Sequence, residues 1–375
     1  MRSVLIAPDS FKGTLTAREV CDIIARAFTD TIPEIKITKL PAADGGEGLC
    51  ACLGDILGGK REKAEVCGVF GEKMCAEYLM LGDGTAVIET AACAGLPLAG
   101  DRKNPEKSTT FGVGELITDA VNKGAKRILL GLGGSATNDC GAGLAAALGQ
   151  GFEDKDGNLF VPTGGTLSRV SKITAPENPL GVPVTAACDV DNPLFGESGA
   201  AYVFAPQKGA DEAMVKRLDS GLRHIAEIIK RDLNIDVSEI KGVGAAGGMG
   251  AGAVAFLGAE LKKGIDIILD AAEFDSKAAN ADLIITGEGR LDFQSVNGKV
   301  VSGVAERAAR LGKPVIAICG SRGEGAEKIK ALGVSELYFS CESEKPFDEI
   351  TKTCREDLYK ISVEAAKNIR HLLKR

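Results

Sequence analysis

The sequence predicts an α/β protein in which a Rossmann-like, doubly wound parallel sheet is interrupted by an inserted mixed α/β domain. Short apolar runs typical of buried parallel strands occur near both ends of the 375-residue chain. Amphipathic helical segments alternate with these runs, and this alternation is the pattern of βαβ units. Between about residues 61 and 264, the pattern changes to short strands, turns and glycine-rich loops.

The N-terminal part predicts the order strand, helix, strand, helix. Thr16 and Glu19 have the spacing of a capping box at the start of the first helix. Gly58 and Gly59 stop the second helix. The predicted elements are a buried strand at Ser3–Ala7, a helix at 17–28, a strand at 35–40 and a helix that ends near Leu57.

The rest of the chain predicts two further patterns. From 62 to 89, turn signals separate short strands of an antiparallel sheet. Beyond about Gly264 the parallel pattern returns, with strands at 281–286, 313–319 and 336–340 and an amphipathic helix at 356–373. We therefore predict a discontinuous Rossmann-like domain, residues 1–60 plus 265–375, with domain 61–264 inserted. The active site is expected in the cleft between them.

Composition excludes several classes of protein. The chain is 45% hydrophobic and 26% charged, which is typical of a folded globular protein. Its net charge of −7 and its lack of tryptophan argue against binding nucleic acid. No apolar run is long enough to predict a membrane span. Because the eleven cysteines are dispersed and odd in number, we expect a reducing, cytoplasmic location.

Two glycine motifs suggest nucleotide binding at first sight. The segment 54–60 fits the start of a P-loop, but Arg61 stands where a magnesium-binding Ser or Thr belongs, so a helix C-terminus is the better interpretation. Gly242-x-Gly244-x-x-Gly247 and Gly131-x-Gly133-x-x-Ala136 match dinucleotide fingerprints. The first copy lacks a good preceding strand, and the second lacks an acidic residue at a strand end.

Glycine-rich turns carrying ionisable or hydroxyl groups follow most of the predicted strands. Such turns meet at the carboxyl edge of an open α/β sheet, where ligands bind. Phosphoryl transfer needs cations and backbone amides for phosphate, and carboxylates for Mg²⁺ and for the acceptor hydroxyl. Each turn alone could instead be a helix cap or a simple loop. The side chains in these turns are Ser10, Lys12, Asp44, Glu47, Ser135, Asp139, Asp189, Asp191, Lys208, Glu288, Arg290 and Asp292.

These turns, in this order, resemble those of the type-1 glycerate kinase family. The resemblance implies ATP-dependent phosphorylation of D-glycerate with Mg²⁺, more often at the 2-hydroxyl than at the 3-hydroxyl. We expect a monomer or a homodimer. The matching segments are 7–12 (APDSFK), 43–48 (ADGGEG), 133–137 (GGSAT), 188–194 (CDVDNPL), 206–210 (PQKGA), 244–250 (GAAGGMG) and 285–292 (ITGEGRLD).

We assign roles to these residues as hypotheses. Asp189 is the base that orients the acceptor hydroxyl, and Asp191 supports it or binds metal. Lys12 neutralises the transferring phosphoryl group. Ser10, Glu288 and Arg290 bind the substrate, with Arg290 on its carboxylate. Asp44 and Glu47 are the metal ligands. The nucleotide phosphates are assigned to Lys208 and to the backbone at Gly133, Gly134, Ser135, Gly247 and Gly248.

Two other functions remain possible from the sequence. A nicotinamide-dependent oxidoreductase acting on a similar hydroxy acid would use the glycine fingerprints. A non-catalytic sugar-acid sensor would need a DNA-binding element, and the sequence offers neither a helix-turn-helix motif nor a basic face.

Overall fold

The structure is a computed structural model that describes residues 2–42, 48–296, 299–341 and 346–369. The chain divides into two compact units, of which the first is Met1–Asp44 with Ile265–Arg375 and the second is Gly45–Gly264. The predicted α/β class with parallel sheets is confirmed.

The described strands and helices alternate along the chain. The strands are β1 (Ser3–Ile6), β2 (Lys36–Lys39), β3 (Lys60–Cys67), β4 (Lys73–Met80), β5 (Thr85–Glu89), β6 (Arg127–Gly131), β7 (Gly151–Glu153), β8 (Lys172–Thr174), β9 (Val184–Ala187), β10 (Glu260–Lys262), β11 (Leu283–Thr286), β12 (Arg290–Leu291), β13 (Val315–Arg322) and β14 (Val334–Cys341). The helices are α1 (Ala17–Thr31), α2 (Leu49–Leu57), α3 (Ala91–Ala94), α4 (Leu96–Ala99), α5 (Phe111–Asn122), α6 (Ala142–Ala147), α7 (Ala200–Phe204), α8 (Glu212–Leu233), α9 (Ala245–Leu257), α10 (Gly264–Ala271), α11 (Phe274–Ala279), α12 (Val300–Arg310) and α13 (Phe347–Asn368).

The first unit is built on a parallel sheet with the order β2-β1-β11-β13-β14, and β12 pairs with the far end of β13. Apolar side chains of β1, β11 and β13 pack against α1 and α13 to form its core. The chain leaves β1 toward β2 on one side, whereas β11, β13 and β14 continue on the other. The gap between β1 and β11 is therefore the topological switch point, where ligands bind in sheets of this kind.

Local signals at the start of α1 behave as the sequence predicts. The Thr16 hydroxyl accepts a hydrogen bond from the Glu19 amide, and the Glu19 carboxylate accepts one from the Thr16 amide. The capping box is confirmed. The C-terminal helix begins earlier than predicted, at Phe347 instead of 356, because Pro346 and the acidic first turn of Asp348 and Glu349 favour a helix start there.

The second unit contains a sheet with the order β10-β9-β6-β5-β4-β3. Strands β5, β6, β9 and β10 run parallel, and β3, β4 and β5 form the antiparallel meander predicted for 62–89. The short pair β7 and β8 is separate. The carboxyl ends of β6 and β9 consequently lie side by side, and the loops that follow them can share one site.

The boundary between the units differs from the predicted one. The sequence places it at residue 60, whereas the first unit ends at Asp44 and α2 belongs to the second unit. Helix α2 packs on β4 and β5, with the Cys50 thiol 3.2 Å from the carbonyl oxygen of Val87. The helix ends at Leu57, before Gly58, so the interpretation of 54–60 as a helix C-terminus and not a P-loop is confirmed.

None of the helices in the described segments is both long and apolar enough to cross a membrane.

Candidate active site

The first unit has a cavity of about 450 Å³ at the switch point. It brings together four residues that the sequence assigned to the site: Ser10 and Lys12 after β1, and Glu288 and Arg290 after β11. The other described lining residues are Asp9, Phe11, Thr14, Gly289, Asp292, Lys299, Gly320, Ser321, Ser340, Cys341, Phe347, Ile350, Thr353, Cys354 and Asp357. We call this space the acid cavity.

Glycines hold the turn after β11 against its neighbours. A Cβ atom on Gly287 would lie 1.9 Å from the carbonyl oxygen of Ile318, so only glycine fits. The Gly287 carbonyl accepts a hydrogen bond from the Asp9 amide at 2.8 Å, and the Glu288 carbonyl accepts one from the Gly320 amide at 3.0 Å. The turn is therefore joined to the loop after β1 and to strand β13 itself, and the backbone position of Glu288 is fixed.

Glu288 and Asp9 are the two buried acids of the described lining of this cavity, each 6% exposed as a residue. Burial raises the pKa of the Glu288 carboxyl group to about 7. Ser295 and Lys299 act in the opposite direction, whereas the negative charges of Asp9 and Asp292 raise the pKa further. Lys299 Nζ is 4.0 Å from Oε2, at the outer limit of an ion pair. Within the described part of the chain, Oε1 has no hydrogen-bond partner.

The second unit has a cavity of about 760 Å³ at the carboxyl ends of β6 and β9. It brings together the predicted residues Gly133, Gly134, Ser135, Asp189 and Lys208. The other described lining residues are Leu96, Pro97, Gly100, Asp101, Lys103, Leu132, Ala187, Cys188, Val190, Phe204, Gln207, Ala245 and Ala246. We call this space the nucleotide cavity, after the role that the sequence predicts for it.

Lys208 is the buried cation of the nucleotide cavity. Its ammonium group donates hydrogen bonds to Ser135 Oγ at 2.9 Å and to the Thr137 carbonyl oxygen at 2.7 Å. Burial lowers the pKa of the Lys208 ammonium to about 7, and the nearby charge of Asp139 opposes that shift only in part. The lysine is thus held in place by the loop that follows β6.

Asp139 holds that loop, a role the sequence analysis did not assign to it. It is fully buried, and its Oδ2 accepts hydrogen bonds from the Thr110 amide at 2.8 Å and the Thr110 hydroxyl at 2.9 Å. Burial raises the pKa of the Asp139 carboxyl group above its usual value. The neighbouring Cys140 is also fully buried, and burial raises the pKa of its thiol. Packing is its role here.

The two aspartates after β9 differ in their surroundings. Asp189 lines the nucleotide cavity, and its Oδ1 accepts a hydrogen bond from the Gly264 amide at 2.7 Å. Asp191 is exposed and lies outside the described lining of both cavities. The structure therefore places only the first of this pair at a cavity.

The glycines of the first dinucleotide fingerprint pack against neighbouring backbone. A Cβ on Gly242 would lie 2.8 Å from the Val190 carbonyl oxygen, and one on Gly247 would lie 2.0 Å from that of Thr137. Gly247 and Gly248 have φ values of 70° and 87° and do not line the nucleotide cavity, where Ala245 and Ala246 lie instead. Gly247 and Gly248 therefore pack closely against their neighbours, and their predicted contact with the nucleotide phosphates stays a prediction.

The second fingerprint, at Gly131 to Ala136, also lacks the required geometry. The helix after β6 starts only at Ala142, whereas a dinucleotide fingerprint opens the helix directly. Neither glycine pattern forms a nicotinamide site.

The predicted metal ligands Asp44 and Glu47 lie outside the described residues. Within the described segments, no group of three or more His, Cys, Asp or Glu side chains is placed to hold a metal ion. Glu89, which the sequence analysis missed, ends β5 and accepts hydrogen bonds from the Gly48 amide at 2.7 Å and the Leu49 amide at 3.1 Å. It fixes the start of α2.

Comparison with known proteins identifies the family. The model of the glycerate kinase family matches residues 4–370. The chain belongs to the glycerate kinase family. A glycerate kinase of Bacillus cereus is 45% identical over 360 residues, which cover 95% of this chain and 94% of the relative. The glycerate 2-kinase of Escherichia coli K12 is 42% identical over 364 residues, which cover 96% of each chain.

A solved structure agrees with the family assignment. The crystal structure of a candidate glycerate kinase 2 from Salmonella typhimurium LT2 superposes with a TM-score of 0.85 at 39% identity, covering 99% of this chain and 98% of that one. The predictions that the chain is an enzyme and that it is a kinase of this family are confirmed.

Proposed function

We propose that the chain transfers the γ-phosphoryl group of ATP to D-glycerate, with Mg²⁺, and forms 2-phosphoglycerate in preference to 3-phosphoglycerate. The observation that carries this proposal is the acid cavity, which combines three cations, five hydroxyls and four carboxylates, of which Asp9 and Glu288 are buried, at the switch point of a parallel sheet. A small hydroxy acid carries the complementary groups. The Escherichia coli relative, named a glycerate 2-kinase, supports the choice of hydroxyl.

In the acid cavity, the substrate carboxylate would bind Arg290 and Ser10. The exposed Arg290 presents a planar guanidinium that can hold both oxygens of a carboxylate at once. Lys12, also exposed, supplies a compact positive charge for the phosphoryl group that arrives on the substrate hydroxyl.

In the nucleotide cavity, Lys208 and the segment Gly133–Ser135 would hold the ATP phosphates. A positively charged Lys208 cannot be neutralised by its two neutral oxygen partners, so a phosphate oxygen is a favourable third partner. Leu96, Pro97 and Phe204 provide apolar surface for the base or the ribose.

Mg²⁺ fits the donor set of the nucleotide cavity. The ion usually takes one or two carboxylates and completes its shell with water and phosphate oxygens. Asp101 and Asp189 are carboxylates in the described lining, and Asp44 and Glu47 stay predicted ligands outside it. When bound, the ion would neutralise charge on the β- and γ-phosphates.

Asp189 would act on the acceptor hydroxyl. The Gly264 amide fixes the carboxylate through Oδ1, so its orientation is set before the substrate binds. As the hydroxyl oxygen bonds to the γ-phosphorus, the bond from that phosphorus to the bridging oxygen of ADP breaks and the hydroxyl proton passes to Asp189. Asp191 would support the loop. The expected location of the active site between the two domains, the monomer or homodimer and the cytoplasmic location stay predictions.

Phosphorus NMR of a reaction of ATP, Mg²⁺ and D-glycerate tests this proposal. We expect a 2-phosphoglycerate resonance with one equivalent of ADP, because the signal reports both activity and the position of the new phosphate. Asp189→Asn should give the same product at a rate lower by about 10²-fold or more. Replacing the exposed Asp191 by Asn provides the matched comparison. A product phosphorylated at the 3-hydroxyl would contradict the regiochemistry, and absence of any phosphoglycerate would contradict the function.

A further inference from the structure

Oε1 of Glu288 is a buried acceptor to which no described residue donates a hydrogen bond. The Gly287 carbonyl bonds to the Asp9 amide in the loop after β1, and the Glu288 carbonyl bonds to the Gly320 amide of β13, so the turn that carries the side chain is held at two points. Glu288 as a whole residue is 6% exposed, and its Oε1 atom is buried. Buried polar atoms of this kind are rare in folded proteins because they lose their bonds to water without replacement. Such an atom in a ligand cavity points to a partner on the ligand.

The charges around Glu288 decide which ligand group that partner is. Lys299 lies on the Oε2 side, whereas Asp9 and Asp292 add negative charge nearby. A substrate carboxylate or phosphate would therefore be repelled from Oε1, and the Arg290 guanidinium and the Lys12 ammonium offer such anions better positions in the same cavity. A neutral hydroxyl group can donate a hydrogen bond to Oε1 without adding charge.

This reasoning rests on the proposed function, because it takes glycerate as the ligand of the acid cavity. Glycerate has two hydroxyl groups. One attacks the γ-phosphorus and passes its proton to Asp189 in the proposed mechanism. The other takes no part in bond formation and keeps its proton throughout the reaction. Only this second hydroxyl can serve as a permanent donor.

We infer that Oε1 of Glu288 accepts a hydrogen bond from the hydroxyl of glycerate that is not phosphorylated, and that this bond selects dihydroxy acids over monohydroxy acids. For transfer to the 2-hydroxyl, the bound group is the 3-hydroxyl. An acid without that group would leave Oε1 buried and unpaired in the complex. Sites built to bond a substrate hydroxyl reject analogues that lack it far more strongly than apolar pockets reject a missing methylene group.

The test compares kcat/KM for D-glycerate with that for D-lactate, which lacks the 3-hydroxyl, and for 3-hydroxypropionate, which lacks the 2-hydroxyl. For transfer to the 2-hydroxyl, the monohydroxy acid that keeps the reacting group is D-lactate. We expect kcat/KM of the wild-type chain to be at least about 10²-fold higher for D-glycerate than for D-lactate. Glu288→Ala should lower kcat/KM for D-glycerate by about 10²-fold and change the value for that monohydroxy acid by less than about threefold. Glu288→Gln keeps an acceptor oxygen, so its kcat/KM for D-glycerate should lie between the values of the wild-type chain and of Glu288→Ala.

The control is Glu306→Ala, which removes an exposed carboxylate from α12 of the same unit. It should leave all three values unchanged. Thermal melting shows whether each variant folds. If Glu288→Ala does not fold, Glu288→Gln and calorimetric binding of D-glycerate and D-lactate to the wild-type chain without ATP decide the same question.

Three outcomes would overturn the inference. The first is an equal loss of kcat/KM for all substrates in the Glu288 variants. That result would mean that Glu288 binds the substrate carboxylate, accepts the transferred proton or only stabilises the fold. The second is wild-type turnover of D-lactate or 3-hydroxypropionate equal to that of D-glycerate. The third is equal calorimetric affinity for D-glycerate and D-lactate. Failure of the proposed function looks different, because the wild-type chain would then phosphorylate none of the three acids.

Discussion

Each of the two cavities has a buried ionisable residue with a pKa near neutrality, and these two residues carry opposite charges when ionised. Glu288 in the acid cavity and Lys208 in the nucleotide cavity each lose water on folding, and burial moves the pKa of both groups to about 7. Burial disfavours the charged form of either group, so it raises the pKa of an acid and lowers that of a base. Both side chains can therefore change their charge near neutral pH.

Lys208 should make ATP binding depend on pH. Below pH 7 the ammonium is charged in the ligand-free site, and above pH 7 the neutral amine predominates. If only the charged form binds the phosphates, KM for ATP should rise about tenfold between pH 6 and pH 8, in proportion to the loss of the competent form. Steady-state kinetics across this range at saturating D-glycerate measures the effect.

Matched variants show whether the pH dependence of KM comes from Lys208 or from the titration of ATP itself. Lys208→Met should raise KM at every pH and remove most of the rise, because no ammonium is left to titrate. Lys216→Met removes an exposed charge from α8 and should keep the wild-type profile. A wild-type KM that stays constant from pH 6 to pH 8 would show that the charge of Lys208 does not bind the nucleotide.

At the scale of elements, the acid cavity depends on how closely strands and loops approach one another. The turn after β11 contacts the backbone of β13, and Gly287 approaches the Ile318 carbonyl oxygen closely. Any side chain at this position must push the two segments apart. Because Glu288 is the next residue, such a change also moves the buried carboxylate.

Gly287→Ala should destabilise the first unit by about 1–3 kcal/mol or more, since its Cβ would collide with the Ile318 carbonyl oxygen. Denaturant unfolding followed by circular dichroism measures the change in the free energy of unfolding. Gly82→Ala is the matched control, because a Cβ there has no heavy atom within 4 Å and the backbone needs no left-handed conformation. Equal unfolding midpoints for the two variants would contradict the expectation.

The elements were predictable where a local pattern determines them. The capping box of Thr16 and Glu19, the buried strand ending at Ile6 and the meander over 62–89 all follow from spacing and burial. Because they follow the ends of predicted parallel strands, four residues were expected at one site. The structure shows them lining one cavity: Ser10, Lys12, Glu288 and Arg290. This inference works because parallel strands carry their carboxyl ends to the same edge.

Other features depend on tertiary contacts and could not be predicted from spacing. The glycines at 242 and 247 match a dinucleotide motif, but they face the Val190 and Thr137 carbonyl oxygens, which are distant in sequence. The burial of Lys208 depends on loops that fold over it. Glu89 bonds to Gly48, 41 residues earlier, so no local signal in the sequence marks it.

At the scale of the whole molecule, each unit carries its own cavity on its own sheet. The acid cavity is lined by residues of the first unit and the nucleotide cavity by residues of the second, as far as the described residues show. Because the two cavities are lined by residues of different units, the binding of each ligand can be followed by its effect on one unit.

Hydrogen exchange should report each ligand in a different unit. D-glycerate alone should slow amide exchange around 9–14 and 287–292, whereas ATP with Mg²⁺ should slow it around 132–137 and 188–190, because bound ligands suppress local opening. Mass spectrometry of peptides after deuterium labelling measures both, with acetate as the control for a simple carboxylate. Protection of 132–137 by D-glycerate alone would contradict this division of ligands.

The pairing of β1 with β11 has a consequence for how the chain is made. Val4 pairs with Leu283 in the sheet, so this pair can form only after the ribosome has synthesised every residue between these two positions. At about 5–20 residues per second, this takes on the order of tens of seconds. During that time the segment 45–264 can fold as a unit, while the apolar strand Ser3–Ile6 lacks its partner on that side. Newly made chains should therefore be most prone to capture by chaperones at their N-terminus.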